Sequence, residues 1–344
     1  MSNKKSMLLP NPMLPNHVVT IDPKLCVACY QCSDICRCNV IVHNPEKGQP
    51  PVVVYPDECW HCAVCTEHCP TGAIKFEHPI NQKITWKRKD TGEIMRIGMK
   101  NPPPANTRRA CGDRSIQLPE HHEVEAKILE VERLSRYVIY AKIGDANIDI
   151  SNYEPGHFCN FQIDEQTYRG YSIGNAPGSD YIELFIDTYS NGPGGQFFQN
   201  LEVGRNVNIT LPLGRFIYRP KETPVLFVGS VTGISPIKAM LETELNQIKS
   251  GRKIQLVFMV WDKEDIFLKD YFDKLETEHP NFSYSLILSN PDTTADKTGK
   301  IYNNTIIEYV KNSKFVTPEI DTYICGSKPL IKAIEKELFR RDVF

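Results

Sequence analysis

Two stretches decide the fold of the N-terminal third. They are Cys26-Val27-Ala28-Cys29-Tyr30-Gln31-Cys32-Ser33-Asp34-Ile35-Cys36 and Cys59-Trp60-His61-Cys62-Ala63-Val64-Cys65-Thr66-Glu67-His68-Cys69-Pro70. Each spells C-x2-C-x2-C-x3-C, and every cysteine of the second lies 33 residues after its counterpart, an internal duplication. The chain has 12 cysteines in 344 residues. Three more at fixed spacing from a given cysteine then arise by chance about four times in 100,000. Three thiolates separated by two residues each wrap three corners of an iron–sulfur cube, and the fourth reaches the other cluster instead. The spacing therefore assigns Cys26, Cys29, Cys32 and Cys69 to cluster I, and Cys59, Cys62, Cys65 and Cys36 to cluster II. Zinc prefers paired C-x2-C knuckles, which three close cysteines and a remote one fit poorly.

Outward from the repeat, the two copies differ. Arg37 stands where the second copy has Pro70, and Cys38 adds a thiol expected to be a small buried residue. A cation beside cluster II would raise its potential. Trp60 and His61, between two ligands, are expected to shield the cluster from water. His43, His61, His68 and His78 are scattered among loops and ligands and need no catalytic role.

The rest of the composition sets bounds. A length of 344 residues implies two to three domains. Hydrophobic content of 41% and charged content of 24% are ordinary for a globular protein. A net charge of −2 gives no basic field for nucleic acid. No window holds the roughly 18 consecutive apolar residues of a membrane helix. The first residues carry Lys4 and Lys5 and only Leu8-Leu9 before Pro10. They read as a flexible lead-in rather than a secretory or transit signal, so a cytoplasmic chain is expected. Ten cysteines fall in the first 118 residues, and only Cys159 and Cys325 follow. Without an export signal, such a distribution favours metal over disulfides.

Residues 80–118 form a connector. Ile84 to Lys89, then Asp90-Thr91-Gly92, then Glu93 to Ile97 read as a β-hairpin. Pro102-Pro103-Pro104 force an extended chain. From Asn81 to Arg109 there are eight Lys or Arg and two Asp or Glu, a charge of +6. Such a segment is either a solvated linker or a docking arm for an acidic partner.

From Glu123 the pattern alternates through Val131 and resumes from Tyr137 to Ile143, as in an antiparallel β-barrel. Tyr168-Arg169-Gly170-Tyr171-Ser172-Ile173 follows, then Gly192-Pro193-Gly194-Gly195-Gln196-Phe197-Phe198 before a short helix, and Leu211-Pro212-Leu213-Gly214-Arg215-Phe216 at the barrel's end. Pro224 to Gly229 is an apolar strand, Ser230-Val231-Thr232-Gly233-Ile234-Ser235-Pro236 a turn, and Ile237 to Ile248 a helix. Strand, glycine turn and helix make a phosphate-binding unit. Ile254 to Val260 is the next strand, and Asp321 to Ile324 a late one ending in Cys325-Gly326-Ser327-Lys328-Pro329.

These motifs carry resemblances. Residues 20–80 resemble bacterial two-cluster [4Fe–4S] ferredoxins. The ferredoxin, the Trp86-containing hairpin and the proline-rich tail together resemble the β subunit of adenylylsulfate reductase and the small ferredoxins that accompany fumarate-reductase-like flavoproteins. In that family the tail wraps a flavoprotein subunit. Residues 120–344 resemble the ferredoxin-NADP reductase superfamily through R-x-Y-S, G-x-x-x-G-x-x-P and C-G, in that order. The resemblance implies that Arg169 pairs with the flavin pyrophosphate, Tyr171 contacts the flavin and Ser172 hydrogen-bonds it near N5. It implies that Gly194, Gly195 and Gln196 present backbone amides to a flavin phosphate, with FAD favoured over FMN. It places Gly229, Thr232, Gly233, Pro236 and Gly326 around NAD(P)H, and Cys325 beside the nicotinamide at the hydride-transfer point. Ser230 replaces a usual glycine, and His157, read as a surface residue, replaces a usual glutamine after Pro155-Gly156. Phe344 is not assigned the terminal-aromatic role. Trp261-Asp262 stands where NADPH enzymes often carry Ser and Arg, so NADH is favoured.

The expected fold class is multi-domain α+β and α/β. A flexible tail (1–19) precedes a two-cluster ferredoxin (20–80) and a hairpin and extended docking arm (81–118). An antiparallel FAD-binding β-barrel (119–220) and a parallel-sheet, Rossmann-like NAD(P)-binding domain (221–344) follow. The expected function is an anaerobic electron-transfer reductase component passing electrons from NAD(P)H through FAD and two [4Fe–4S] clusters to a partner terminal reductase of fumarate-reductase or adenylylsulfate-reductase type. The alternatives are a free-standing ferredoxin–NAD(P) oxidoreductase and an iron–sulfur assembly subunit with a regulatory nucleotide module.

Overall fold

The computed structural model describes residues 18–77, 84–87, 94–97, 120–145, 150–165, 167–189, 192–290, 301–303 and 305–343. The hairpin turn Asp90-Thr91-Gly92, the prolines at 102–104, the docking arm's remaining residues, the first 17 residues, His78 and Phe344 lie outside them. The chain divides into two compact units, Met1–Pro119 with Asp164–Tyr168, and Glu120–Ile163 with Arg169–Phe344.

The first unit is built from short elements: β1 (Val19–Ile21), α1 (Gln31–Ile35), β2 (Ile41–Val42), β3 (Val52–Val53), α2 (Val64–His68) and β4 (Ile74–Phe76). β1 and β4 pair antiparallel, as do β2 and β3. Its core is small: Val18, Val19, Val40, Ile41, Ala73 and Ile74 pack with Cys32 and Cys69. So small a core needs a staple of metal or disulfide to hold. β5 (Ile84–Lys87) and β6 (Ile94–Ile97) pair antiparallel with Trp86 opposite Met95, the hairpin expected there.

The second unit opens with an antiparallel barrel. Its strands are β7 (His122–Arg133), β8 (Val138–Gly144), β9 (Phe158–Gln162), β10 (Tyr168–Ser172) and β11 (Tyr181–Asp187), followed by α3 (Pro193–Gln199) and β12 (Asn206–Leu213). The sheet order is β10-β9-β12-β7-β8-β11, and a bridge between Ile173 and Leu184 joins the two outer strands. Alternation fixes the register: Val124, Ala126 and Ile128 face the core, while Glu123, Glu125 and Lys127 face water.

A parallel sheet follows, β13 (Val225–Ser230), α4 (Ile234–Glu242), β14 (Ile254–Val260), α5 (Lys269–Glu278), β15 (Phe282–Leu288), β16 (Ile301–Asn303), α6 (Ile306–Asn312), β17 (Asp321–Cys325) and α7 (Lys328–Phe339). Its order is β16-β15-β14-β13-β17. The apolar run of β13 serves two cores. Val225 and Phe227 pack against the α4 and α5 side, Leu226 and Val228 against the α6 and α7 side. Each such fully buried side chain contributes about 1.5–3 kcal/mol. α4 begins at Ile234, three residues before the expected start, because Pro236 sits in the first turn, where its missing N–H costs nothing. It continues as a wider-turned segment, Thr243–Ile248. The strand order reverses at β13, which takes β14 on one side and β17 on the other. Open α/β sheets bind ligands beyond the carboxyl ends of the strands at such a point.

Candidate functional sites

The duplication in the sequence is repeated in the backbone. Ala28 and Tyr30 have φ of 52° and 59°, and their counterparts His61 and Ala63 have 56° and 55°. Left-handed non-glycine residues cost of order 1–3 kcal/mol each and persist where surroundings or function require them. Here they curl each cysteine run around a centre. The amides of Ala28 and Ser33 point at the sulfurs of Cys26 and Cys32; those of His61 and Thr66 point at Cys59 and Cys65. Amides aimed at sulfur stabilise negative charge there and tune a cluster's potential.

The fourth cysteine of each run crosses over. Cys26, Cys29, Cys32 and Cys69 line one cavity in the first unit. Cys36 lies in the electrostatic range of Cys59 and Cys65, cysteines of the other copy. Burial pushes the Cys26 and Cys65 thiols up to about 11 and Cys32 to about 12. Among the described residues no three His, Cys, Asp or Glu side chains converge on a point, as a single metal ion requires.

Three local expectations are corrected. Trp60 is 73% exposed, so its indole does not shelter cluster II. Cys38 is half-buried rather than buried, and lies near Cys59 beside Cys36. His157 is 4% exposed and not a surface residue. Its Nδ1 accepts the Glu154 amide at 2.9 Å within the turn that holds Pro155 and Gly156. Two other described histidines make local contacts: His43 Nε2 meets Asp34 at 2.7 Å, and His68 Nδ1 the carbonyl of Val64 at 3.0 Å.

In the second unit a cavity of about 620 Å³ opens between the barrel and the parallel sheet. Tyr171, Ser172, Thr232, Gly233, Cys325 and Gly326 line it. Two ladders bring them together. Cys325 ends β17 directly opposite Gly229 on β13, at the switch point. Ser172 ends β10, and its carbonyl accepts the Ser235 hydroxyl of α4 at 3.1 Å. Gly233 lies against the Cys325 carbonyl: a Cβ there would stand 2.8 Å from the carbonyl carbon and 3.2 Å from the Gly326 nitrogen. A side chain at Gly229 would meet the Ile234 Cα at 3.2 Å. These glycines let the turn close over the sheet end. Val231, in the same turn, has φ 49°, a strained choice for a β-branched residue. Burial pushes the Cys325 thiol up to about 11, so it stays neutral.

Of the remaining expected residues, Pro236 is buried in α4, and Arg169, Gly194, Gly195 and Gln196 stand apart from the lining of this cavity. Gly194 lies against the Tyr171 hydroxyl and near Arg169, and a side chain there would collide with Tyr171. The first turn of α3 is thus tied to the R-x-Y-S strand. Gly195 is buried against Thr188. Tyr171 meets Phe198 edge-on, with ring centres 5.1 Å apart. Its buried hydroxyl is held well above the ordinary tyrosine value by desolvation.

The sequence reading missed much of the lining. Tyr189 is one such residue and stacks on the Trp261 already singled out, with centres 6.2 Å apart; Met259 and Ser289 follow at neighbouring strand ends. The rule that ligands meet carboxyl ends of parallel strands would have found Ser289. It also missed the lock between barrel and sheet. Lys238, 5% exposed, bonds Glu183 Oε2 and Glu242 Oε1, both at 2.7 Å, and the Gly174 carbonyl at 3.3 Å. Tyr271 and the Ala176 amide donate to Glu242 at 2.7 and 2.8 Å. Burial alone would lower the Lys238 pKa, but the two carboxylates raise it and keep it charged.

Comparisons with known proteins agree with this division. A 4Fe-4S dicluster domain model matches residues 25–73, an oxidoreductase FAD-binding domain model 125–218, and an oxidoreductase NAD-binding domain model 227–336. The chain is 28% identical over 287 residues to the toluate 1,2-dioxygenase electron transfer component of Pseudomonas putida, covering 80% of this chain and 81% of that one. It is 28% identical over 189 residues to one subunit of the Na(+)-translocating NADH-quinone reductase of Pseudomonas aeruginosa, covering 52% of this chain and 46% of that one. The chain thus matches about half the length of that relative. Among solved structures, the Amycolatopsis cytochrome P450 reductase GcoB superposes with a TM-score of 0.58 at 23% identity, over 65% of this chain and 67% of that one. A ferredoxin reductase in carbazole 1,9a-dioxygenase gives 0.57 at 21%, over 68% and 70%. These two share the fold. Among the described residues no helix is long and apolar enough to cross a membrane.

Proposed function

We propose that this chain, a 4Fe-4S dicluster ferredoxin fused to FAD- and NAD-binding domains of ferredoxin-reductase type, carries electrons from NADH to a separate terminal redox protein. The chain is an electron-transfer oxidoreductase. When bound, FAD supplies the conversion of a two-electron hydride into the single electrons that two [4Fe–4S] clusters carry. The observation that carries the reading is the meeting of Ser172, from the barrel, and Cys325, from the sheet, on one cavity at the switch point.

The chain's own residues have distinct tasks in this reading. Arg169 and the amides of Gly194 and Gly195 would hold the flavin phosphates; the Gln196 amide, expected to join them, donates instead to the Gly192 carbonyl at 3.0 Å. Tyr171 would give the flavin an apolar wall, and Ser172 would offer it a hydroxyl from the same cavity lining. Thr232, Gly233, Pro236 and Gly326 shape the coenzyme's seat with Gly229 beneath it. Cys325, neutral and half-buried, packs at the nicotinamide without adding charge. The two sets of four cysteines hold the clusters.

For the partner, the basic 81–109 segment and the ferredoxin head support docking on an acidic flavoprotein of fumarate-reductase or adenylylsulfate-reductase type. The toluate dioxygenase relative favours a second class, an oxygenase. Anaerobic affinity purification of the full chain at low salt, with mass spectrometry of what accompanies it, separates them. A stoichiometric flavoprotein, lost when residues 80–110 are deleted, supports the first. An oxygenase supports the second. A lone chain with full NADH-to-ferredoxin activity overturns both in favour of a free-standing oxidoreductase.

A further inference from the structure

A closed ring of contacts joins the barrel to the sheet at the mouth of the large cavity. Arg136, in the turn between β7 and β8, donates from Nε and Nη2 to the Asp265 carboxylate at 2.9 and 2.6 Å. Its Nη2 also donates to Asp262 Oδ1 at 2.5 Å. The guanidinium lies over the Tyr137 ring at 5.3 Å. Tyr137 meets Tyr189 edge-on at 5.1 Å, and Tyr189 stacks on Trp261. Trp261 precedes Asp262, which closes the ring. Tyr189 and Trp261 both line the cavity, so the ring stands at its rim.

The place of Asp262 gives the ring a meaning. It follows the end of β14, the second strand of the βαβ unit, where an acidic side chain accepts a hydrogen bond from the 2′-hydroxyl of an adenosine ribose and an arginine donates to a 2′-phosphate. Both chemistries are present here, bound to each other. Asp265 is almost fully buried, with 5% of its side chain exposed, and fixes the guanidinium bidentately. Arg136 keeps 48% of its side chain exposed, and its Nη1 takes no part in either bridge. With two carboxylates on one guanidinium the local charge is −1, which repels a 2′-phosphate.

We propose that Arg136 is the specificity-determining partner of Asp262: their ion pair selects NADH, and removal of the Asp262 carboxylate turns Arg136 into a 2′-phosphate receptor. The inference rests on the proposed NADH oxidation and names the residue that decides the coenzyme. Arg136 alone is a positioning residue, holding Asp262 toward the ribose.

The test uses the full cofactor-loaded chain, purified anaerobically, with NADH or NADPH as donor and ferricyanide as acceptor. Asp262→Ser raises NADPH kcat/KM relative to NADH by about tenfold to a hundredfold, the size of a charge-assisted hydrogen bond. Arg136→Gln, added to Asp262→Ser, removes that gain. Arg136→Gln alone raises KM for NADH severalfold and leaves kcat within about twofold, and Arg136→Lys restores part of the KM. Should Asp262→Ser fold poorly, Asp262→Asn keeps the shape and loses the charge. A gain that survives in Asp262→Ser with Arg136→Gln overturns the inference. So does a folded Asp262 variant blind to NADPH, or a wild-type chain that prefers NADPH. A wild-type chain that oxidises neither coenzyme overturns the parent reading, and the inference with it.

Discussion

At the scale of single residues, the crossing of Cys69 and Cys36 is the sharpest statement. Cys69 belongs to the second run in sequence and to the first cavity in space. Cys69→Ser therefore disturbs cluster I and spares the site of Cys59, Cys62 and Cys65. Iron content is expected to fall from about eight per chain toward about four, with one paramagnetic signal left on reduction. Loss of the Cys59-side signal instead would contradict the pairing. The dicluster character of residues 25–73 was legible, because metal chemistry restricts both residue type and spacing. His157 was not, since nothing in Pro155-Gly156-His157 tells a buried ring from an exposed one. Burial holds it at about 4, against 6.5 for a free histidine. Between those pH values the unfolded chain binds a proton that the folded chain refuses. Stability is thus complete above pH 6.5 and declines as pH falls toward 4, by about 3 kcal/mol at the limit. His157→Gln should flatten that slope in urea melts followed at pH 4 to 7; an unchanged slope would sink the assignment.

At the scale of elements, local patterns were readable and cross-element networks were not. Alternation in β7 and the apolar run of β13 announce themselves, because a strand buried on one face leaves a period of two and one buried on both faces a continuous apolar run. The lock at Lys238 leaves no such trace. Glu183 lies 55 residues before it on a barrel strand, and lysine and glutamate at helical spacing read as a solvated surface. The structure instead places this lysine, 5% exposed, among two carboxylates. Removing one member of a buried ion network costs about 3–5 kcal/mol because the others stay buried uncompensated. Lys238→Met should lower the melting temperature of the second unit by several degrees and loosen the cavity, seen as weaker flavin retention. A variant with wild-type melting and retention would show that the network only decorates the interface. Arg136 escaped the sequence for the same reason, since 126 residues separate it from Asp262.

For the whole molecule, the order of modules was legible, because each carries a motif whose chemistry demands it. The duplicated cysteines, R-x-Y-S, the glycine turn and C-G stand in the order in which a donor-to-cluster path reads backward from coenzyme to iron. The central claim is that a hydride delivered at the cavity of Ser172 and Cys325 ends as single electrons on the clusters held by the two cysteine sets. The most direct measurement is an anaerobic titration of the full, cofactor-loaded chain with NADH. The flavin is followed by its visible absorption and the clusters by electron paramagnetic resonance. Substoichiometric NADH is expected to bleach the flavin and further NADH to bring up cluster signals, with Cys69→Ser and Cys36→Ser each removing a different one. Flavin bleaching with silent clusters, or no bleaching at all, would contradict that claim.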